Sequence, residues 1–324
     1  MVTEVMVIHS RFSIWFLMLM ISTFAGVGCA SRDAQHATWR MGDYRQLFEK
    51  QQTKTLTTDE PAQPLPKMTA EEHQRIGDRY FLQNELPMAY VHYDKALYLA
   101  PTQGTLRYKK GLIFLKRGLA EDALREFQAV LETDDDSALA YQGIGQAFLL
   151  MRELHEAEKQ FQHAIRLDPT LCKSYQFLGV IYDHQKRFDE AVTAYKTSIA
   201  LQQEDGSLWN NLGVSYYKRG DYDNAIRTFE RAANMMGAGP QVYNNLGLSL
   251  AKLGNYQDAL IAFTKGGDSA KAYNNLGVVY LAEGKYRESA AAFEKALALS
   301  PRYYPEASEN LDRVRQALQG TLLR

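Results

Sequence analysis

The sequence predicts an all-α chain, an α-solenoid of about seven helix pairs with a C-terminal capping helix. Three observations predict it. Glycines stand at Gly77, Gly111, Gly145, Gly179, Gly213 and Gly247, each 34 residues from the last, and Gly277 follows after 30. Around every glycine the same residue types recur. A small residue lies twelve places on (Ala89, Ala123, Ala157, Ala191, Ala225, Ala259, Ser289), and an aromatic lies sixteen places on (Tyr93, Phe127, Phe161, Tyr195, Phe229, Phe263, Phe293). Beyond Pro305 the stripe Ala307, Leu311, Val314, Leu318 repeats at helical spacing, with Glu306, Glu309, Asp312, Arg313 and Arg315 off it.

Each unit reads as two antiparallel helices, the first pair at about 71–84 and 87–99. One pair cannot bury its own apolar face, so neighbours must stack. Counted so that the recurring glycine is place 8, the units begin at residues 70, 104, 138, 172, 206, 240 and 270. The glycine allows close helix approach, with the small residue of place 20 against it and aromatics of places 11 and 24 filling the space between helices. Gly118, Gly220, Gly254 and Gly284 fall between the two helices of a unit, where a left-handed residue is needed. The sixth unit is four residues short, about one helical turn. A clipped second helix is expected where Ile261 to Lys265 runs into Gly266-Gly267-Asp268, with a local change of superhelix pitch. The terminal stripe, apolar on one face and wet on the other, suggests that the array stops there.

These residues resemble the tetratricopeptide repeat (TPR). The match is fullest at Trp209, Leu212, Gly213, Tyr216, Ala225, Phe229 and Ala232, and again at Tyr273, Leu276, Gly277 and Tyr280. The resemblance covers residues 70–303, with residues 304–324 as capping helix and tail. It implies paired-helix repeats whose first helices line an inner groove.

The N-terminus is built differently. Phe12 to Gly28 carries no charge, Arg11 precedes it, and Ile14 to Ile21 is unbroken apolar sequence. Ala25-Gly26-Val27-Gly28 then leads to Cys29. A positive flank, a short apolar stretch and a small-residue exit describe a secretory signal over residues 1–28. The segment is similar to the lipobox of bacterial lipoproteins. That resemblance implies cleavage before Cys29 and lipid attachment to its thiol. It departs at Gly26, where the family prefers leucine. Ala30, not aspartate, implies sorting to the outer membrane, with the body facing the periplasm. The alternative is an uncleaved inner-membrane signal anchor, since the seventeen uncharged residues are the bare minimum to span a bilayer. Residues 29–69 read as a flexible tether rich in Gln, Thr and Pro, with one short helix at Trp39, Tyr44, Leu47 and Phe48.

On the first helix of each unit, places 2, 6, 9 and 13 cluster opposite the packing places 4, 7, 8 and 11. In the last three units places 5 and 6 are all asparagine: Asn210 and Asn211, Asn244 and Asn245, Asn274 and Asn275. Place 9 supplies Val214, Leu248 and Val278, and place 13 supplies Lys218 and Lys252. Amides carry donors and an acceptor, so such a ladder can pair with the backbone of an extended peptide. Similar ladders occur in the peptide-binding arrays of the resembling family. The other reading is that Asn-Asn-Leu-Gly packs between units. Place 6 is Arg75, Lys109, Gly143 and Phe177 in the earlier units, so the groove changes character along its length.

Composition bounds the rest. The chain has 324 residues, a formal charge of −1 and two cysteines. That charge gives no support to nucleic-acid binding, and two cysteines exclude a disulfide scaffold or a four-thiolate metal site. No phosphate-binding loop, zincin pair or nucleophile elbow occurs. Cys172 reads as a small packed thiol. No enzyme activity, cofactor, metal or small-molecule substrate is expected. The expected partner is a protein, held as an extended segment of an envelope assembly component, with the lipid as membrane contact. Lipid signal, tether and repeats together resemble the TadD-type proteins of Flp (tight-adherence) pilus assembly. The alternative is an adaptor that delivers substrates to a separate envelope enzyme such as a cell-wall hydrolase.

Overall fold

In a computed structural model of the chain, the structure describes residues 68–235, 237–300 and 304–322. Cys29, the signal segment, the tether up to residue 67 and its expected short helix lie outside the described residues. Among the described residues there are fifteen α-helices and no strand. None is long and apolar enough to cross a membrane.

The helices come in pairs, each short first helix followed by its antiparallel partner. They are α1 (Ala70–Leu82) with α2 (Leu86–Leu99), α3 (Gly104–Lys116) with α4 (Ala120–Leu131), and α5 (Ala138–Leu150) with α6 (Leu154–Leu167). Then follow α7 (Cys172–His184) and α8 (Phe188–Leu201), and the pairs α9 (Gly206–Arg219) with α10 (Tyr222–Ala233) and α11 (Pro240–Lys252) with α12 (Tyr256–Gly266). The last pair is α13 (Ser269–Ala282) with α14 (Tyr286–Leu299), and α15 (Pro305–Leu322) packs on it. Contacts divide the chain between Ile181 and Tyr182, inside α7. The N-terminal unit holds α1 to α6 and most of α7. The C-terminal unit holds α8 to α15. The expected all-α fold, with helices at the places of seven pairs and a capping helix, is what the described residues form.

Local sequence sets the helix ends. Thr69 opens α1 with a capping box: its hydroxyl accepts from the Glu72 amide at 3.2 Å, and the Glu72 carboxylate accepts from the Thr69 amide at 2.8 Å. Asp205 and Asp268 cap α9 and α13 through side-chain oxygens. Between the helices of every pair one residue is left-handed. It is glycine in four (Gly118, Gly220, Gly254, Gly284), as expected, but Asn84, Arg152 and Lys186 take the same conformation with φ of 61°, 63° and 62°. Backbone geometry there is dictated by the turn, and the side chain tolerates it at a cost of about 1–2 kcal/mol.

The glycine at place 8 is filled by the ring of place 24. A Cβ at Gly77 would lie 2.6 Å from the Tyr93 ring, one at Gly213 2.5 Å from Phe229, and one at Gly277 2.6 Å from Phe293. The small residue of place 20 lies alongside: the Ser289 hydroxyl donates to the Gly277 carbonyl at 2.8 Å. Those place-24 rings and place-20 alanines form the core of each unit, essentially without exposure.

Two departures from the repeat are visible. In the third α-helix Lys110 occupies place 7, an apolar position elsewhere, and is only 6% exposed. It is held by Asp94 and Glu126, each at 3.0 Å, and lies over the Tyr90 ring. Burial pushes its ammonium down, but Glu126, Tyr90 and Asp94 together carry it above the usual lysine value. In the short sixth unit α12 has eleven residues and ends on Gly266, where a Cβ would stand 2.9 Å from the Pro240 carbonyl oxygen. The clipped helix is thus fitted against the start of α11. At the C-terminus Ala307, Leu311 and Val314 are buried and the charged residues off that stripe are exposed.

Candidate functional site

The first helices place their sixth residue at the seam with the preceding repeat. In the N-terminal unit Lys109 lies over the Tyr93 ring, the Cα of Gly143 sits against Phe127, and Phe177 stacks on Phe161 with centroids 5.0 Å apart. In the C-terminal unit Asn245 lies beside Phe229. Place 6 therefore faces the place-24 ring of its neighbour. Gly143, expected in the groove, is instead the space that Phe127 needs.

The amide ladder is a set of clasps across these seams. Asn245 Nδ2 donates to Asn210 Oδ1 at 3.1 Å, Asn275 Nδ2 to Asn244 Oδ1 at 3.3 Å, and Asn310 Nδ2 to Asn274 Oδ1 at 3.3 Å. Place 6 of one repeat thus reaches back to place 5 of the one before. Asn310 on α15 continues the row. The sequence reading missed it because the capping helix shares no repeat motif, although its spacing from Ala307 and Leu311 would have put it on the packed side. Asn210, Asn211 and Asn274 are buried, whereas Asn244, Asn245 and Asn275 are half-buried. Asn211 makes no side-chain hydrogen bond among the described residues, and its amide is not among the polar atoms sealed from solvent. Below the ladder, Ser215 and Ser249 donate to the Asn211 and Asn245 carbonyls, tying the hydroxyls of place 10 into their own helices.

The strip expected at place 9 is not an open one. Val278 packs against Phe293, Leu311 and Val314, and Leu248 packs against the core around Phe263 and Leu276. Each is half-buried because a following helix lies beside it, α13 for Leu248 and α15 for Val278. Val214, Leu248 and Asn245 are nevertheless brought together, with Tyr217 and Phe229, around one small pocket. Tyr217 was not anticipated. Its hydroxyl is buried without a hydrogen-bond partner among the described residues, and burial, with Tyr222 and Glu283 beside it, pushes it up to about 12.

Place 13 is the exposed part of the face, as Lys218 and Lys252 show. Lys218 is not a lone charge: its ammonium is 4.0 Å from the Asp183 carboxylate, which at 2.9 Å shares the single Ser215 hydroxyl proton with the Asn211 carbonyl. Burial holds the Asp183 carboxyl above its ordinary range, against the opposing pull of Lys218 and Ser215. Lys252 acts on Glu283, helping to keep that carboxyl low against its partial burial. Cys172 is half-buried at the first residue of α7. No group of three metal-ligating side chains occurs among the described residues.

Comparison with known proteins matches this architecture. The family model of the cilia and flagella-associated protein 70 C-terminal domain matches residues 43–272, and the tetratricopeptide-repeat model matches residues 270–303. No curated protein matches the sequence. Among solved structures, the C-terminal part of a TPR repeat-containing protein from Cytophaga hutchinsonii aligns with TM-score 0.57 at 16% identity, over 73% of this chain and 98% of that one. PilF of Pseudomonas aeruginosa aligns with TM-score 0.55 at 19% identity, over 67% and 96%. A tetratricopeptide repeat protein from Parabacteroides merdae aligns with TM-score 0.51 at 15% identity, over 76% and 98%. At these identities the likeness is one of fold. With repeat period, paired helices and both family models in agreement, the chain belongs to the tetratricopeptide-repeat family represented by the cilia and flagella-associated protein 70 C-terminal domain.

Proposed function

We propose that this protein is a lipid-anchored scaffold facing the periplasm from the outer membrane, and that its C-terminal unit holds an extended segment of an envelope assembly partner. Pilus or secretion apparatus assembly, as in the TadD-type proteins, is the setting that the lipobox-like segment, tether and repeats favour together. Arrays of this family bind protein partners, and no catalytic family matches the chain.

One observation carries the reading. Each amide clasp uses one carbonyl and one N–H, so every rung keeps donors or acceptors, and Asn211 keeps all of its own. An extended backbone can take those groups without regard to its side chains. The half-buried rungs and exposed Lys218 and Lys252 line the same face.

The test is site-specific crosslinking. A photoreactive residue at Lys252, in the full-length protein in its native envelope, is expected to capture one predominant protein, and Asn211→Ala is expected to abolish that capture while leaving the melting temperature unchanged. Capture that survives Asn211→Ala removes the ladder from the reading. Mass spectrometry of the mature N-terminus tests the anchor: a diacylated Cys29 is expected, and an intact N-terminal methionine rules lipidation out.

A further inference from the structure

A second surface lies on the other side of α9. A cleft of about 440 Å³, open to solvent, is floored by Trp209, Leu212 and Tyr216 and walled by α8 and α10. These floor residues are places 4, 7 and 11, on the opposite side of α9 from Asn211 and Val214. The cleft is therefore separate from the amide ladder and does not depend on what the ladder holds.

Its walls carry charge of one sign. Lys196 on α8 stands 5.6 Å from the centroid of the Tyr216 ring, and Arg231 on α10 stands 4.7 Å from that of Trp209. Neither cation has a carboxylate within salt-bridge distance among the described residues, and no acidic residue lines the cleft. By contrast Arg219, at the end of the same helix, is held by Asp189 at 2.8 Å and Asp221 at 2.6 Å. Two polar atoms of the lining are already engaged: Trp209 Nε1 donates to the Gln203 carbonyl at 3.1 Å, and Thr228 Oγ1 donates to the Asn224 carbonyl at 2.6 Å. What remains on offer is the partly exposed Trp209 ring above the buried Leu212 and Tyr216, two unneutralised cations and the Gln203 amide. A volume in the range of about 300–1,000 Å³ suits a few side chains or a drug-sized ligand.

We infer that this cleft between α8 and α10 docks an acidic peptide segment bearing an aromatic side chain, the ring lying against Trp209 and the flanking carboxylates meeting Lys196 and Arg231. The ring supplies buried apolar area and the two carboxylates supply register, since a guanidinium held over an indole is already oriented for a carboxylate. A nucleic acid also carries rings and negative charge, and it is treated as a competing outcome.

The probe is a fluorescein-labelled, amidated peptide of alternating aspartate and phenylalanine, titrated with the full-length protein in detergent and followed by anisotropy. A lysine–phenylalanine peptide and a labelled oligothymidylate serve as controls. Saturable binding of the acidic peptide alone is expected, weakening as salt rises. Lys196→Glu with Arg231→Glu is expected to raise Kd by about tenfold or more. Lys196→Gln with Arg231→Gln should weaken binding less but measurably, and it stands in if charge reversal disturbs the circular dichroism melt. Asn211→Ala with Asn245→Ala should leave this Kd unchanged, so failure of the ladder reading and failure of the cleft are separate results. Equal binding of the basic peptide, preference for the oligothymidylate, no saturation below about 1 mM, or a Kd indifferent to both double variants overturns the inference.

Discussion

Asn245 Nδ2 donates to Asn210 Oδ1 at 3.1 Å across the seam between the fifth and sixth repeats. The same bond recurs one repeat on, between Asn275 and Asn244, and ends on the capping helix with Asn310 and Asn274. Place 6 thus has a structural task wherever it is asparagine with a partner. Asn211 stands apart, because its amide makes no such bond among the described residues. Substitution separates the two roles. Asn245→Ala removes the donor from the buried Asn210 carbonyl and should cost about 1–2 kcal/mol. Asn211→Ala should fall within about 0.5 kcal/mol of the parent. Urea unfolding of both variants checks this, and equal costs would contradict the clasp geometry.

The place-8 glycines give the sharpest steric prediction. Alanine at Gly213 would set a methyl carbon 2.5 Å from Phe229 Cε1, and alanine at Gly266 would set one 2.9 Å from the Pro240 carbonyl oxygen. The Phe229 ring is only 1% exposed, so overpacking of about 1–3 kcal/mol is expected for Gly213→Ala. Gly266→Ala meets backbone, which cannot rotate away, and should cost at least as much. Thermal melts decide it. Gly104→Ala is the control, since its nearest neighbour would be a Thr133 oxygen at 3.4 Å.

The left-handed turns predict gains instead. Arg152 and Lys186 hold φ near 63° and 62° where four other repeats place glycine. Arg152→Gly and Lys186→Gly relieve the Cβ strain but give the unfolded chain more freedom. The balance should be a stabilisation of about 0.5–1 kcal/mol each. Lys186→Gly also removes a charge, so Lys186→Asn, which keeps a side chain suited to this conformation, should recover part of the same gain. A lowered melting temperature for the glycine variants would show that the side chains, not the turn, govern these positions.

Much of this was readable in the sequence for a physical reason. A repeat that must stack on copies of itself imposes the same steric demand every 34 residues, so Gly77 to Gly277 and Tyr93 to Phe293 announce their own contacts. The seam was less legible. Periodicity places residues on a face of one helix but does not say which neighbouring helix covers that face. Place 6 and place 9 were therefore expected in an open groove, whereas Phe177 stacks on Phe161 and Val278 packs on the capping helix. Lys110 was illegible for another reason: its two carboxylates come from α2 and α4, at places with no fixed residue type.

Lys110 itself makes a fourth prediction. Its ammonium is almost fully buried between Asp94 and Glu126, with Arg107 3.6 Å from Glu126. Lys110→Met keeps the stem and removes the charge, which strands a buried carboxylate, so a loss of about 3–5 kcal/mol is expected. Adding Glu126→Gln should return a large part of it, because the stranded charge goes with it. Denaturant melts of the two single variants and the double form a cycle, and additive losses would mean that the pair is not coupled.

The last prediction concerns acid. His73 and His92 face each other with their Nδ1 atoms 3.1 Å apart, so one ring donates and the other accepts. Their centroids are 5.3 Å apart, close to the spacing of two rings joined in line through that bond. Burial, then His73 and Lys95, depress His92 from 6.5 to about 4, and burial and Lys95 also lower His73, with Glu72 opposing. The sign follows directly. Between pH 6.5 and about 4 the unfolded chain takes up protons on these rings that the folded chain refuses, so this contribution to stability is complete above pH 6.5 and declines as pH falls. A doubly protonated pair would also set two Nδ1–H groups against each other. His92→Gln keeps a polar group in the site without the titration. Its urea stability at pH 7 and pH 5 should differ by less than that of the parent, whereas an unchanged pH slope would mean that the imidazole pair does not govern the acid response of the first repeat.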